Sequence, residues 1–376
     1  MDKNAQSKKG LLERLKEGPV VGDGSMCTTL EKRGYCRAGP WTPEAVLLYP
    51  DAVKQLLREY MRAGADVLQT PCFYCNDGKL KNVSQSGESI SYSTEAINEA
   101  ACRIAHEIAN EGDDMLVCGG LSPVLSYGRE RNMEKARAEF DSQLNVFIKH
   151  KVDFVLAEFF GHVEELEICV DVMKRSKMPI ACTMRIGPLG DSNGVSVEEC
   201  AVRMARTGAD LIGINCMYDF NTCLKTLKRM QNALDKEGLK TYLMCQPLGW
   251  RCPEVENSLI GYADLPETPL ALEPRQATRF EAHAFARAAY DLGVRYIGGC
   301  CGMEPHHIRA IAQELSSERK KNPAVDDMCP ALGFLEHSQV TTIHKKVNKA
   351  YWMGQKPGSG RPFSPASSFT QGGAYT

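Results

Sequence analysis

Arg62-Ala63-Gly64-Ala65-Asp66-Val67-Leu68-Gln69-Thr70 reads as the end of a helix, a glycine and then a buried strand. The phrase returns as Arg206-Thr207-Gly208-Ala209-Asp210-Leu211-Ile212-Gly213-Ile214-Asn215-Cys216. It returns again as His150-Lys151-Val152-Asp153-Phe154-Val155-Leu156-Ala157-Glu158 and as Leu292-Gly293-Val294-Arg295-Tyr296-Ile297-Gly298. Glycine suits the left-handed residue that ends a helix. A short apolar, β-branched run suits a strand covered on both faces.

Extending the count outward gives eight candidate strands, near residues 19–24, 65–71, 115–120, 152–158, 179–185, 209–216, 241–246 and 294–300. Amphipathic stretches lie between them, as at Ser93–Gly112, Glu134–Lys151, Val197–Thr207 and Ala277–Leu292. This alternation predicts an α/β protein built as a (β/α)8 TIM barrel. The rival, a doubly wound open sheet, usually carries a glycine-rich phosphate loop. Gly22-Asp23-Gly24 lacks the third glycine of G-x-G-x-x-G, and no P-loop is present. The pattern stops after Leu315. The expected layout is a flexible N-terminus at 1–10, a barrel at 11–317 and a C-terminal extension at 318–376. The extension holds one helical piece near Ile343–Trp352. It reads either as a partly ordered tail or as an oligomerisation arm anchored by Tyr351 and Trp352.

The composition narrows the function. Net charge is −2 over 376 residues, without the basic excess of a nucleic-acid binder. No apolar run approaches the roughly 20 residues of a membrane span, and the polar N-terminus has no signal-peptide core. The 16 cysteines are therefore expected to be reduced cytoplasmic thiols, most of them small buried hydrophobes.

In a barrel of this kind, catalytic residues come from the C-terminal strand ends. Those ends present Asp23, then Thr70 with Phe73 and Tyr74, then Glu158-Phe159, Asn215-Cys216, Cys245-Gln246 and Cys300-Cys301. Cys216, Cys300 and Cys301 fall on strands six and eight, whose ends can converge. Three thiolates with one open position fit catalytic zinc. The residues alone leave the alternative that Cys300-Cys301 merely packs a tight turn between glycines. Cys72 and Cys75 have C-x-x-C spacing without a second pair, so packing is the expectation there. His306-His307 reads as a surface or helix-capping pair, and Cys27 and Cys36 receive no role.

Gly298-Gly299-Cys300-Cys301-Gly302 after Val294-Arg295-Tyr296-Ile297, with Gly213-Ile214-Asn215-Cys216, resembles the zinc-dependent homocysteine S-methyltransferase family. Leu30-Glu31-Lys32-Arg33-Gly34-Tyr35, Ala38-Gly39-Pro40-Trp41-Thr42-Pro43-Glu44 and Leu272-Glu273-Pro274-Arg275-Gln276-Ala277-Thr278-Arg279 resemble its betaine-using branch. The similarity runs from about Gly10 to Leu315 and returns more loosely at Tyr351-Trp352 and Gly360-Arg361-Pro362. It implies Zn2+ held by Cys216, Cys300 and Cys301, with homocysteine as fourth ligand and betaine as methyl donor. It implies that Asp23 and Glu158 hold the homocysteine amino group, that backbone N–H groups at Gly24 and Ser25 suit its carboxylate, and that Thr70 lies in the pocket. Trp41, Phe73, Tyr74, Phe159 and Gln246 match donor-pocket positions, where aromatic faces attract a cation. Cytosolic dimers or tetramers are implied too. Phe159 stands where the betaine enzymes typically have Tyr, and Pro71-Cys72 replaces a Phe-Thr pair. These departures leave a sulfonium donor, S-methylmethionine or dimethylsulfoniopropionate, as the alternative. A further alternative is a non-catalytic zinc-binding homologue.

Overall fold

The computed structural model describes residues 8–36, 43–84, 92–269 and 271–321. The expected arm with Tyr351 and Trp352, and the donor-pocket Trp41, lie outside the described residues.

All eight expected strands are present: β1 (Val20–Val21), β2 (Val67–Gln69), β3 (Leu116–Leu121), β4 (Phe154–Phe160), β5 (Ile180–Met184), β6 (Leu211–Asn215), β7 (Tyr242–Gln246) and β8 (Val294–Ile297). They pair in parallel in the order β1-β8-β7-β6-β5-β4-β3-β2. The ring closes between β1 and β2 through aspartate. The Asp66 N–H donates to Val21 O (2.7 Å), and the Val21 N–H donates to Asp66 Oδ2 (2.9 Å). Asp153 repeats this exchange with Val117, and Asp210 repeats it with Ile180. The aspartate of the recurring phrase thus ties the foot of an even strand to the strand before it. The glycines act as expected, with left-handed φ at Gly64 (103°), Gly208 (82°) and Gly293 (107°); Lys151 takes that conformation in the fourth copy (φ 53°).

Side chains alternate as strands require. Val20, Val67, Leu116, Cys118, Phe154, Leu156, Ala181, Leu211, Met244 and Tyr296 fill the barrel interior, joined from below by Leu11 and Leu15 of the helix Leu11–Glu17. The intervening Val21, Leu68, Val117, Val155, Cys182, Ile212, Cys245 and Ile297 pack outward into the helical layer. The helices Thr94–Ala109, Met133–Lys149, Val197–Arg206 and Arg279–Leu292 match the amphipathic stretches read from the sequence. Several strands are shorter than their apolar runs. β1 and β8 leave the ladder early because residues 22–25 and 298–302 turn inward to build the pocket. Every described cysteine is a free thiol. Among the described residues, no helix is long and apolar enough to cross a membrane.

Candidate active site

The alternation that packs the interior also selects the pocket floor. Two residues beyond inward-facing Val67, Leu156 and Met244 lie Gln69, Glu158 and Gln246, and all three line the pocket at the C-terminal end of the barrel. Asp23, Gly24, Ser25, Thr70, Phe73, Phe159, Cys216, Cys300 and Cys301 line it with them.

The Sγ atoms of Cys216, Cys300 and Cys301 lie within 4.8 Å of one another. Strand β6 gives its last ladder bond from the Cys216 N–H to Gln246 O (2.8 Å), and the chain then turns left-handed at Cys216 (φ 60°) and Met217 (φ 59°). The Cys300 N–H donates to Pro247 O (2.9 Å) and the Gly299 N–H to Asp23 O (2.8 Å), so the cysteine turn is pinned to β7 and β1. A Cβ at Gly299 would sit 2.4 Å from Met303 Cβ, and one at Gly302 (φ 77°) would sit 2.6 Å from the Trp250 ring. Burial opposes the Cys216 thiolate. Hydrogen bonds from Cys300 and Cys301 outweigh it and hold that thiol well below its usual value, while giving those bonds pushes Cys300 and Cys301 well above theirs. Three clustered sulfur donors sharing protons, Cys216 and Cys301 buried and Cys300 half-buried, suit a soft divalent cation, whose binding would displace those protons.

The two acids lie beside the thiols and share one neighbour. Asp23 Oδ2 accepts the Gln69 backbone N–H (2.8 Å), and the Gln69 side-chain amide donates to Glu158 Oε1. Asp23 is therefore not a helix cap, and Glu158 has no arginine partner among the described residues. Burial raises Asp23 to about 7 against the pull of the Gln69 N–H, and raises Glu158 well above the usual carboxylate range, helped by the nearby Cys300. Among the described residues, no cation pairs with either acid. Gln69 is a site residue that sequence reasoning missed. Its signal was the inward register of β2.

The Ser25 N–H, expected to face a substrate carboxylate, instead donates to Met303 O (2.8 Å). The Thr70 hydroxyl accepts the Gly120 N–H (3.2 Å) and meets Cys72 Sγ at 3.2 Å. The Gln246 Oε1 and Asn215 Nδ2 atoms are buried without a hydrogen-bond partner. Cys27 and Cys36, given no role from sequence, line the pocket.

Three rings meet at the pocket: Phe73 and Phe159 line it, and Tyr74 packs against both. Phe73 and Tyr74 lie 4.2 Å apart, and Phe159 stands edge-on to both, at 5.4 and 6.2 Å. Tyr74 (φ 59°) and Phe159 (φ 69°) are held left-handed. The Ser122 Oγ fixes the first by accepting its N–H (2.9 Å), and the Asn215 Oδ1 fixes the second in the same way (2.9 Å). Non-glycine residues in that region cost energy and persist where the surroundings over-determine them.

The loop after β7 braces the cysteine turn. The Gly249 N–H donates to Cys301 O (2.9 Å), and the Gln276 amide bridges Gly249 O and Gly302 O. A Cβ at Gly249 would lie 2.1 Å from Gly302 O. Buried Arg275 ties this loop to Glu254 (2.6 Å) and Glu267 (3.1 Å). His307 is not on the surface. It is buried and caps its helix, accepting the Glu304 N–H and lying 2.6 Å from Ala277 O.

Residues 20–315 match the family model described as homocysteine S-methyltransferase. The chain belongs to the homocysteine S-methyltransferase family. It is 49% identical over 372 residues to betaine–homocysteine S-methyltransferase 1 of Danio rerio, covering 98% of this chain and 92% of that one. It is 45% identical over 364 residues to S-methylmethionine–homocysteine S-methyltransferase of Pongo abelii, covering 96% and 97%. The metallated homocysteine methyltransferase MmuM of Escherichia coli shares the fold, with TM-score 0.60 at 17% identity over 80% of this chain and 97% of that one.

Proposed function

We propose that this member of the family transfers a methyl group from betaine to homocysteine, giving methionine and dimethylglycine, with Zn2+ held by Cys216, Cys300 and Cys301. The observation that carries the reading is three thiols within 4.8 Å of one another, opening onto a pocket floored by two buried carboxylates and lined by the rings of Phe73 and Phe159, against which Tyr74 packs. Bound there, the ion supplies a Lewis acid that lowers the pKa of an added thiol, with soft sulfur donors and one open position.

The chain's residues do the rest. Asp23 and Glu158 take the homocysteine ammonium, which supplies the cation their burial lacks. The Gly24 backbone faces the substrate carboxylate, and any side chain there would strike Met303 O (2.4 Å) and Tyr60 (2.7 Å). Gln69 holds both acids in register. Phe73, Tyr74 and Phe159, with Trp41, hold the donor's cationic end by their ring faces and exclude water. Homocysteine sulfur then forms a bond to the methyl carbon as the C–N bond breaks, and the electron pair leaves on dimethylglycine nitrogen. Such positioning lowers the barrier by fixing near-attack geometry. Cytosolic dimers or tetramers complete the proposal.

A second reading replaces betaine with a sulfonium donor. It is favoured by the missing hydroxyl at Phe159 and by the likeness to a relative named for S-methylmethionine. Incubating zinc-loaded protein with homocysteine and each donor separately, and measuring methionine, decides between them. Methionine from betaine is expected. Methionine from S-methylmethionine alone would overturn the betaine assignment, and none from any donor would leave a zinc-binding homologue without turnover.

A further inference from the structure

The pocket floor is acidic, but two cations pack against the rings of its aromatic wall. Lys79 Nζ lies 3.8 Å from the Tyr74 ring centroid, and the Arg185 guanidinium carbon lies 5.5 Å from that of Phe159. Neither cation forms a salt bridge among the described residues, and both are half-buried. Glu165 is within electrostatic reach of both. Its carboxylate, however, accepts the Val124 N–H (2.8 Å), and burial raises it to about 7 against that bond.

Arg185 is placed there by three separate features. Its N–H donates to Phe160 O (2.9 Å), which fixes it beside the end of β4. Gly161 leaves room for its head, since a Cβ there would lie 2.7 Å from Arg185 Nη2. The Phe159 ring, whose own backbone is pinned by Asn215, carries the guanidinium on its face. Two cations without a salt bridge among the described residues, set against a cage for a cationic donor, oppose that donor unless it carries an anionic group directed at them.

We propose that Arg185, assisted by Lys79, binds the carboxylate of the methyl donor. The inference rests on the reading of this pocket as a methyl-donor site. A guanidinium matches a carboxylate with two parallel N–H bonds, whereas Lys79 contributes a point charge. A donor with its onium group toward the thiols and its carboxylate toward Arg185 is then complementary at both ends. The arrangement selects net-neutral zwitterions such as betaine. It disfavours a donor with an additional ammonium, such as S-methylmethionine, and a donor whose carboxylate is esterified.

The test uses the full chain loaded with zinc. Dimethylglycine, which keeps the carboxylate, is titrated calorimetrically into enzyme saturated with methionine, and KM is measured for betaine and for betaine methyl ester. Arg185→Gln is expected to weaken dimethylglycine binding and raise the betaine KM by about tenfold or more, with the homocysteine KM within about twofold. The variant should also lose the preference for betaine over its ester. Arg185→Lys, which keeps the charge, should recover most of the affinity and guards against a folding defect. Unchanged dimethylglycine affinity in Arg185→Gln, or no binding by the wild type, overturns the inference. A wild type that binds dimethylglycine but yields no methionine from any donor defeats the reaction and not the carboxylate site.

Discussion

Buried carboxylates stand at both ends of this barrel and are treated in opposite ways. At the bottom, Asp66 meets Arg319 (2.9 Å) and Lys321 (2.5 Å). Burial works against its charge, but the two cations outweigh that and hold it below the usual carboxylate range. At the top, Asp23 and Glu158 are hydrogen-bonded by Gln69 and meet no cation among the described residues, and burial raises both. The bottom is electrostatically complete. The top is short of a cation, which the ammonium of homocysteine would supply in the proposed reaction. This is the stability–function division expected of the two faces of such a barrel.

Substitutions at the two ends should therefore separate activity from stability. The largest effect is expected at the thiols. Cys300→Ala should lose zinc and activity together, by at least about a thousandfold, because Lewis-acid stabilisation is worth several kcal/mol. Metal analysis alongside turnover checks this, and activity in a metal-free preparation would break the account. Next, Glu158→Gln should raise the homocysteine KM about a hundredfold by removing the partner of a buried charge. The same change should raise the melting temperature of the metal-free, substrate-free protein. A carboxyl whose folded pKa lies above its unfolded one costs stability once pH exceeds the unfolded value, and Gln keeps the Gln69 contact. A lower melting temperature would show that the top is not in electrostatic deficit.

Asp66→Asn should do the reverse. Asp66 and Arg319 are 5% and 6% exposed, so breaking the pair should cost about 3 kcal/mol of stability, with kcat and both KM values unchanged. The folded pKa of Asp66 is depressed. Its contribution is therefore present above the unfolded value of about 4 and is lost as pH falls through the folded value. Denaturant curves for wild type and variant should converge at low pH; a gap independent of pH would exclude the charge as its cause. The smallest effect is expected at the cage. Tyr74→Ala should raise the donor KM about tenfold and leave homocysteine nearly unaffected. Equal effects on both substrates would contradict the division of the pocket.

The eight strands were legible because one phrase recurs and because each run is short, apolar and bounded. The thiols and both acids were legible because a barrel puts function at strand ends. Gln69 was not, since its partners lie 46 and 89 residues away and only the closed ring brings them together. Gly249, Arg275 and Gln276 were hidden for the same reason. Their work is to brace a turn that the sequence shows only as cysteines between glycines. His306-His307 read as a surface or helix-capping pair, and helix geometry divides the two roles, leaving His306 exposed while buried His307 caps the helix. Arg185 carried no signal in the sequence, because the room left by Gly161 and the ring of Phe159 come to it from the end of the neighbouring strand.

The most direct test of the central claim is zinc X-ray absorption on the loaded protein, before and after homocysteine is added. The account predicts three sulfur ligands at about 2.3 Å rising to four, with the fourth absent in Glu158→Gln at the homocysteine concentration that saturates the wild type. A sulfur count that stays at three when homocysteine is bound would contradict it.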